Sequence, residues 1–193
     1  MKNHWIICLK LTLVTLVIFG VGYPLVITGI AKVMAPNGGQ GETLAVDGRT
    51  VGFELIGQKF DTDRYFNSRP SAIDYNAAAT GGSNKGPTNP EYLAQVQARI
   101  DTFLVHNPDV RKGEIPVDLV TASGGGLDPH ISPQAAVVQI GRIAAVRHIS
   151  RDKIEALVKE YTEAPMLGMG TARVHVLRLN VALDGLDAVK QSK

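Results

Sequence analysis

Apolar residues are distributed along this chain in two different ways. Residues 11–31 form an unbroken apolar stretch without a charged side chain, whereas residues 43–193 alternate short apolar runs with polar turns. As a helix, the apolar stretch would be about 31 Å long, which matches the hydrocarbon thickness of a bilayer. The pattern predicts a transmembrane helix at residues 11–33, a flexible neck at 34–42 and a domain that fills the rest of the chain.

A cleaved signal peptide is the alternative interpretation of the apolar stretch. Such peptides have an apolar core of about 7–15 residues and end in a small-x-small cleavage site. The stretch in this chain is longer, and the residues that follow it, 30–34, contain no Ala-x-Ala pattern. The sequence therefore favours a retained anchor.

The orientation of the anchor is predicted from the charges on its two sides. Lys2 and Lys10 lie before the apolar stretch at residues 11–31, while Lys32 follows it and no further charge appears until Glu42. Because positive charge is retained on the cytoplasmic side, residues 1–10 are expected in the cytoplasm and the domain outside it.

Glycine and proline interrupt the apolar stretch near its middle. Pro24 lacks an N–H donor and its ring presses on the carbonyl of Gly20, so we expect a kink. Gly20 and Gly22, next to Tyr23, are small enough to let another helix approach, which predicts a packing surface made of these four residues. The alternative is that glycine and proline are simply more frequent in membrane helices.

Periodicity in the domain predicts a mixed α and β fold. Short apolar runs at 43–46 and 49–56 flank Asp47-Gly48, which is typical of a β-hairpin. Helices are expected after three capping residues, Asn89, Ser132 and Ser150, and Pro165 is expected to end the last of them. Strands are expected at 115–122 and 173–183, the second with a β-bulge near Val176 where the alternation slips by one residue.

Residues 66–90 form a long polar stretch with no periodicity. Segments of this length without secondary structure are uncommon in compact domains and are usually functional or disordered. This stretch contains four asparagines, together with Arg69 and Tyr75. Larger side chains of this kind favour an ordered loop.

Charge and cysteine content narrow the function. The net charge of the 193-residue chain is +2, but the first 36 residues hold three lysines and no acid. The remaining 157 residues therefore carry a net charge of −1, which removes the case for nucleic-acid binding by bulk charge. Cys8 is the single cysteine, so no disulfide can form within the domain.

Ser123, Asp128 and His130 are the residue types of a hydrolytic triad, and a membrane-anchored extracytoplasmic hydrolase is one functional hypothesis. All three lie on one glycine-rich loop, and Thr121 stands where the G-x-S-x-G motif requires glycine. We expect instead that Asp128 and Ser132 satisfy backbone donors around a tight turn. Residues 81–88 lack the Gly-Lys pair of a phosphate loop, and the histidines have no metal-ligand spacing. These observations favour an accessory or interaction role over an enzyme.

Several longer motifs identify the chain by resemblance. They are GYPL at 22–25, FNSRPSA at 66–72, YN at 75–76, GSN at 82–84, GPTNP at 86–90, DLVTASG at 118–124 and GLDPHISP at 126–133. Together they resemble the signature of the KdpC family, the C subunit of the bacterial Kdp potassium-transporting ATPase. Two positions depart from it: Lys85 replaces an expected apolar residue, and Gly125 stands where serine is common.

The resemblance implies a single-span, non-catalytic subunit of the inner membrane. Its implied partners are a channel-like potassium-binding subunit, a P-type ATPase subunit and a small membrane peptide, besides membrane lipid. ATP and potassium are handled by the complex, and no cofactor is expected on this chain. The family is also described as a catalytic chaperone that raises the ATP affinity of the ATPase subunit.

The predicted orientation conflicts with direct contact to ATP, which is cytoplasmic. We therefore expect the loops at 66–90 and 121–133 to face the channel-like subunit as a cap, with an indirect effect on ATP. The residues that we assign to this interface or to its support come from the family motifs: Ser68, Arg69, Pro70, Tyr75, Asn76, Ser83, Asn84, Thr88, Asn89, Ser123, Gly124, Asp128, His130 and Ser132.

Overall fold

The computed structural model describes residues 2–165 and 168–191. They fall into two compact units, Met1–Glu42 and Thr43–Lys193. The first unit is helical, with α1 at Lys2–Thr15, a π-helical segment at Leu16–Gly22 and α2 at Tyr23–Met34. Residues His4–Met34 are long and apolar enough to cross a membrane. The helix therefore begins nine residues before the predicted span and ends one residue after it.

A π-helical segment lies directly before Pro24, where we predicted a kink. The backbone N–H of Tyr23 donates to the carbonyl of Ile18, five residues back, in place of the usual four. A widened turn of this kind directly before a proline accommodates the ring and the missing donor. The neck that follows is a 3₁₀ turn at Pro36–Gly39, where Asn37 and Gly38 have positive φ.

The second unit opens with the predicted hairpin, β1 at Thr43–Val46 and β2 at Arg49–Phe53. Asp47 and Gly48 both have positive φ, as a tight hairpin turn requires. β2 ends at Phe53 rather than at residue 56. The next residue, Glu54, is buried, and its carbonyl accepts a hydrogen bond from the His175 ring.

A second, three-stranded sheet has the antiparallel order β3-β5-β4. Its strands are short: β3 at His130–Ile131, β4 at Thr162–Glu163 and β5 at Arg173–His175. The helices are α3 at Pro90–His106, α4 at Pro133–Val137, α5 at Ile140–Arg147, α6 at Arg151–Glu160 and α7 at Val176–Gln191. The domain is thus mixed helix and sheet, as expected.

Two of the three predicted helix caps make their hydrogen bonds. The Asn89 side chain accepts from Tyr92 N, and the Ser132 hydroxyl accepts from Ala135 N. Ser150 stands at the cap position of α6 without a capping bond from its side chain. The predicted stop at Pro165 is wrong, because α6 ends at Glu160 and the chain enters β4.

The strand predicted at 115–122 is also wrong. This region holds a 3₁₀ turn at Val117–Leu119, and another such turn, Lys112–Glu114, directly precedes it. Pro116 cannot donate to a ladder, and Val117 is 70% exposed while Leu119 and Val120 are buried. The apolar residues of this region therefore form a turn that buries Leu119 and Val120, and they do not alternate between two faces as in a strand.

The strand predicted at 173–183 is short, and no bulge forms at Val176. Strand β5 stops at His175, and α7 begins at the next residue. The buried residues Val176, Leu179, Asn180 and Leu183 follow the helical spacing i, i+3, i+4, i+7. The apparent slip in the alternation was the junction between a strand and a helix.

The hydrophobic core lies among α4, α5, α6, α7 and the second sheet, and Leu119, Ile149 and Phe66 join it from outside these elements. Phe66 belongs to an irregular segment and is fully buried. The segment around it has no regular hydrogen-bonding partner of its own, so its backbone groups need partners from elsewhere.

Buried polar side chains supply these partners. The Asn180 side chain accepts from Phe66 N at 2.8 Å and donates to Phe66 O at 3.0 Å. Gln139, fully buried, accepts from Asn67 N at 2.8 Å. Arg142 donates to Tyr65 O and to the Asn67 side chain, and burial lowers the pKa of Arg142 while Asp63 acts in the opposite direction. We call residues 62–68 the clamped segment.

Arg147, in the last turn of α5, completes the clamp. Its guanidinium is buried and donates to Arg64 O at 2.7 Å and to Asp184 at 2.8 Å. It also lies 4.7 Å from the centre of the Tyr65 ring. Burial and the hydrogen bond to Asp184 raise the pKa of Tyr65.

Replacing Asn180 with Ala should destabilise the domain strongly. The change leaves Phe66 N–H and C=O buried without partners and opens a cavity, so we expect a loss of about 2–4 kcal/mol in the free energy of unfolding. Gln95→Ala on the exposed face of α3 is the control and should change it by less than about 0.5 kcal/mol. Denaturant titration followed by circular dichroism measures both, and equal effects would refute the clamp.

Candidate functional site

The long polar loop is ordered by local hydrogen bonds. The Ser71 hydroxyl accepts from Ile73 N and Tyr75 N, and the Tyr75 hydroxyl donates to Arg69 O. Asp74 and Tyr75 both adopt positive φ within this turn. Burial, and next the charge of Asp74, raise the pKa of Tyr75 to about 12. The tyrosine is therefore a neutral donor at physiological pH.

Backbone hydrogen bonds join this loop to the glycine-rich loop that follows residue 120. Ser123 N donates to Pro70 O at 3.0 Å, and Gly81 N donates to Gly125 O at 3.1 Å. The approach is close, since a Cβ on Gly82 would lie 2.8 Å from the Gly124 carbonyl oxygen. The two predicted loops thus form one surface, which we call the loop surface (residues 66–90 and 121–133).

An ion pair lies at the centre of the loop surface. Arg69 Nη1 donates to Asp128 Oδ2 at 3.0 Å, and Asp128 Oδ1 accepts from His130 N at 3.0 Å. Burial alone would raise the pKa of Asp128, but the hydrogen bonds from His130 and Arg69 outweigh it and lower the pKa to about 2. Asp128 is therefore ionised at neutral pH and holds the turn into β3.

The geometry gives the hydrolase hypothesis no support. Asp128 and His130 are neighbours, with Oδ1 and Nδ1 3.6 Å apart. Ser123 is 3% exposed, and among residues 2–165 and 168–191 no hydrogen bond joins it to Asp128 or His130. The His130 ring instead packs edge-on against His175, with ring centres 5.2 Å apart. The expectation that Asp128 and Ser132 satisfy backbone donors is confirmed.

The remaining predicted site residues divide into supporting and exposed positions. The Ser68 hydroxyl donates to Gln58 O at 2.8 Å, and Asn89 caps α3. The Asn76 side chain accepts from Ala78 N, and Asn84 has positive φ. The exposed members of the set are Asn76, Asn84, Thr88 and Gly124, whereas Ser83 is half-buried. The exposed members are the ones that a partner could contact.

The structure also shows hydrogen bonds beside the loop surface that the sequence analysis did not predict. Both oxygens of Asp118 accept from Ser132, one from its N–H and one from its hydroxyl. His175 accepts from Arg178 N and contacts the Glu54 carbonyl, so its Nε2 carries the proton. No spacing in the sequence links these pairs, since Glu54 and His175 are 121 positions apart.

Fold and surface together define a class: a mixed α and β domain that follows a helix of membrane-spanning length and carries an ordered polar loop surface. Comparison with known families agrees with the motif resemblance. The family profile described as "KdpC: K+-transporting ATPase, c chain" matches residues 5–185. The chain belongs to the KdpC family.

Relatives from distant bacteria share nearly the whole chain. A Flavobacterium psychrophilum protein is 57% identical over 186 residues, covering 96% of this chain and 100% of the relative. A Bacteroides thetaiotaomicron protein is 48% identical over 91% of this chain and 95% of the relative. A Methylococcus capsulatus protein is 47% identical over 96% of this chain and 100% of the relative. All three bear the name potassium-transporting ATPase KdpC subunit.

Two glycines of the loop surface provide a matched test of its packing. Gly82→Ala pushes a methyl group against the Gly124 backbone, so we expect a loss of about 1–3 kcal/mol in the free energy of unfolding. Gly86→Ala, four residues on, meets nothing within 4 Å and should be neutral or stabilise by less than about 1 kcal/mol. Thermal unfolding measures both, and a harmless Gly82→Ala would show that the loops are not in contact.

Proposed function

We propose that this protein is the C subunit of an ATP-driven potassium uptake complex and acts there as a non-catalytic accessory subunit. The observation that carries the proposal is similarity over the full length, at 57% identity, to a protein named as the KdpC subunit of the potassium-transporting ATPase. A match that covers all of the relative includes its helix and its domain together. Assembly and stabilisation of the larger subunits is the role that this architecture supports.

The partners follow from the same resemblance. They are a channel-like potassium-binding subunit, a P-type ATPase subunit and a small membrane peptide. The N-terminal helix, with Gly20, Gly22, Tyr23 and Pro24 around its π-helical segment, is the element that would pack beside a partner helix in the bilayer. Small residues on that helix allow close approach, and the apolar side chains around them suit lipid.

The domain is proposed to lie outside the cytoplasm of a bacterial cell, on the outer side of its inner membrane. The support is the distribution of charge around the apolar stretch at residues 11–31, with Lys2 and Lys10 before it and Lys32 after it. In that orientation the helix crosses the membrane once, with its N-terminus in the cytoplasm.

The loop surface is proposed as the cap over the ion entrance of the channel-like subunit. Its support is rigidity: the hydrogen bonds between residues 70 and 123 and between 81 and 125 preorganise a polar surface for binding. Surrounding residues such as Asn84 and Thr88 remain exposed for contact.

An influence on ATP affinity would then be indirect. In the proposed orientation the loop surface and the nucleotide are on opposite sides of the membrane. Binding to one conformation of the complex in preference to another stabilises that conformation, and thereby changes the affinity at a distant site. The chaperone role attributed to the family takes this form in our proposal.

Co-purification tests the subunit assignment. Cells that express the chain with a C-terminal tag are starved of potassium and solubilised gently, with an untagged strain as the control. We expect a large ATPase and a multi-span membrane protein to elute with the chain in equal amounts. A chain that elutes alone and folded would contradict the assignment.

Thiol labelling tests the orientation. Ala156 is exposed on α6, so Ala156→Cys in a Cys8→Ser background gives one reactive site on the domain. A membrane-impermeant maleimide should label intact spheroplasts as fully as lysed cells. Labelling only after lysis would place the domain in the cytoplasm and remove the cap proposal.

A further inference from the structure

A pocket of about 510 Å³ opens beside the ion pair of the loop surface. Four charged side chains of both signs line it, Arg69, Asp118, Asp128 and Arg173, together with the ring of His130. What such a pocket can bind depends on which of these groups are already used by hydrogen bonds inside the domain.

Both carboxylates in the pocket wall already accept hydrogen bonds from the domain. Asp118 accepts from Ser132 N at 2.7 Å and from the Ser132 hydroxyl at 3.2 Å, through different oxygens. Asp128 likewise uses one oxygen for Arg69 and the other for His130 N. A cation would have to share each of these four oxygens with a protein donor, so these carboxylates attract a cation less strongly than free ones would.

The two arginines in the pocket wall, in contrast, have more N–H donors than their ion pairs use. A guanidinium has five N–H groups, and Arg69 reaches Asp128 through Nη1. Its Nε is buried and has no hydrogen-bond partner in the part of the chain that the structure describes. Arg173, also in the wall, contacts Glu163 through Nε, which leaves its Nη groups outside that ion pair. The buried Nε is not accessible from the pocket, so the donors of Arg69 that a ligand in the pocket can reach are on its Nη groups.

Arg69 is held in position for an acceptor in the pocket. Its backbone carbonyl accepts from the Tyr75 hydroxyl, and its side chain is anchored by Asp128. The side chain is 26% exposed, so a ligand in the pocket can reach it. A fixed guanidinium loses little conformational freedom when it binds, and its planar fork matches the two oxygens of an oxyanion.

We infer that this pocket binds an oxyanion, a carboxylate or phosphate group, with the guanidinium of Arg69 as its principal donor. The same chemistry is offered by free inorganic phosphate and by an acidic side chain of a partner subunit. The second source rests on the proposed function, whereas the site itself does not.

The test uses the full-length, ¹⁵N-labelled chain in detergent micelles. Inorganic phosphate is titrated, with sodium chloride at matched ionic strength as the control. We expect the Arg69 Nε–H resonance to shift saturably with phosphate alone. We also expect the midpoint of thermal unfolding to rise by about 3–5 °C when phosphate exceeds its Kd tenfold. A shift that does not saturate, or that chloride reproduces, overturns the inference.

A pair of charge-preserving variants localises the site. Arg69→Lys keeps the positive charge but loses the planar guanidinium, so the rise of the unfolding midpoint with phosphate should disappear. Arg151→Lys alters another exposed arginine of an ion pair, with Asp109, and should respond as the unmodified chain does. Equal responses from both variants overturn the assignment to Arg69. The resonance shift in the unmodified chain decides the matter if Arg69→Lys does not fold.

Co-purification then separates the two sources. An acidic side chain of a partner would be displaced by saturating phosphate, and Arg69→Lys would lower the yield of partner subunits several-fold. Unchanged yields together with saturable binding to the chain identify a free anion. Unchanged yields without saturable binding overturn the site. Failure of the unmodified chain to bring down any subunit counts against the proposed function, while the titration still decides the site.

Discussion

Hydrogen bonds from buried side chains to the clamped segment hold the domain together. Residues 62–68 cross the core without belonging to a helix or a sheet, and yet Phe66 is fully buried among the helices. A buried backbone without partners would be strongly unfavourable. Asn180 of α7 satisfies both backbone groups of Phe66, and Gln139 and Arg142 serve the residues beside it. The helices and the irregular chain are therefore stabilised as one unit.

The loop surface depends on this clamp. Because Phe66 is fixed in the core, the chain leaves it in a defined direction, and Pro70 meets Ser123 through a backbone hydrogen bond. Arg69 is thereby brought to Asp128, 59 positions away in the chain. A rigid polar surface without regular secondary structure suits recognition of a partner, since little conformational entropy is lost on binding. The KdpC family match is consistent with such a role.

Local signals were read correctly where a few neighbouring residues determine the structure. Asp47-Gly48 specifies the hairpin turn, and Asn89 and Ser132, each followed by proline, specify the helix starts. The alternation of apolar and polar residues gave a wrong prediction where the two-residue period of a strand meets the period of a helix. Strand β5 runs directly into α7 at Val176, and the apolar residues of the first helical turns also fit a strand. No local pattern distinguishes an exposed arginine from a buried one, such as Arg142 or Arg147, that donates to a distant backbone carbonyl.

The sequence by itself determined the apolar helix, the hairpin, the capped helices, the order of the polar loops along the chain and, through its motifs, the family. Each of these depends on residues that lie close together in the chain or on a motif of consecutive residues. Only the tertiary structure decided that Asn180 clamps Phe66, that Arg69 pairs with Asp128 and that the His130 ring packs against His175. Such contacts join residues far apart in the chain, and their partners are chosen by the need to satisfy buried polar groups, which no local pattern records.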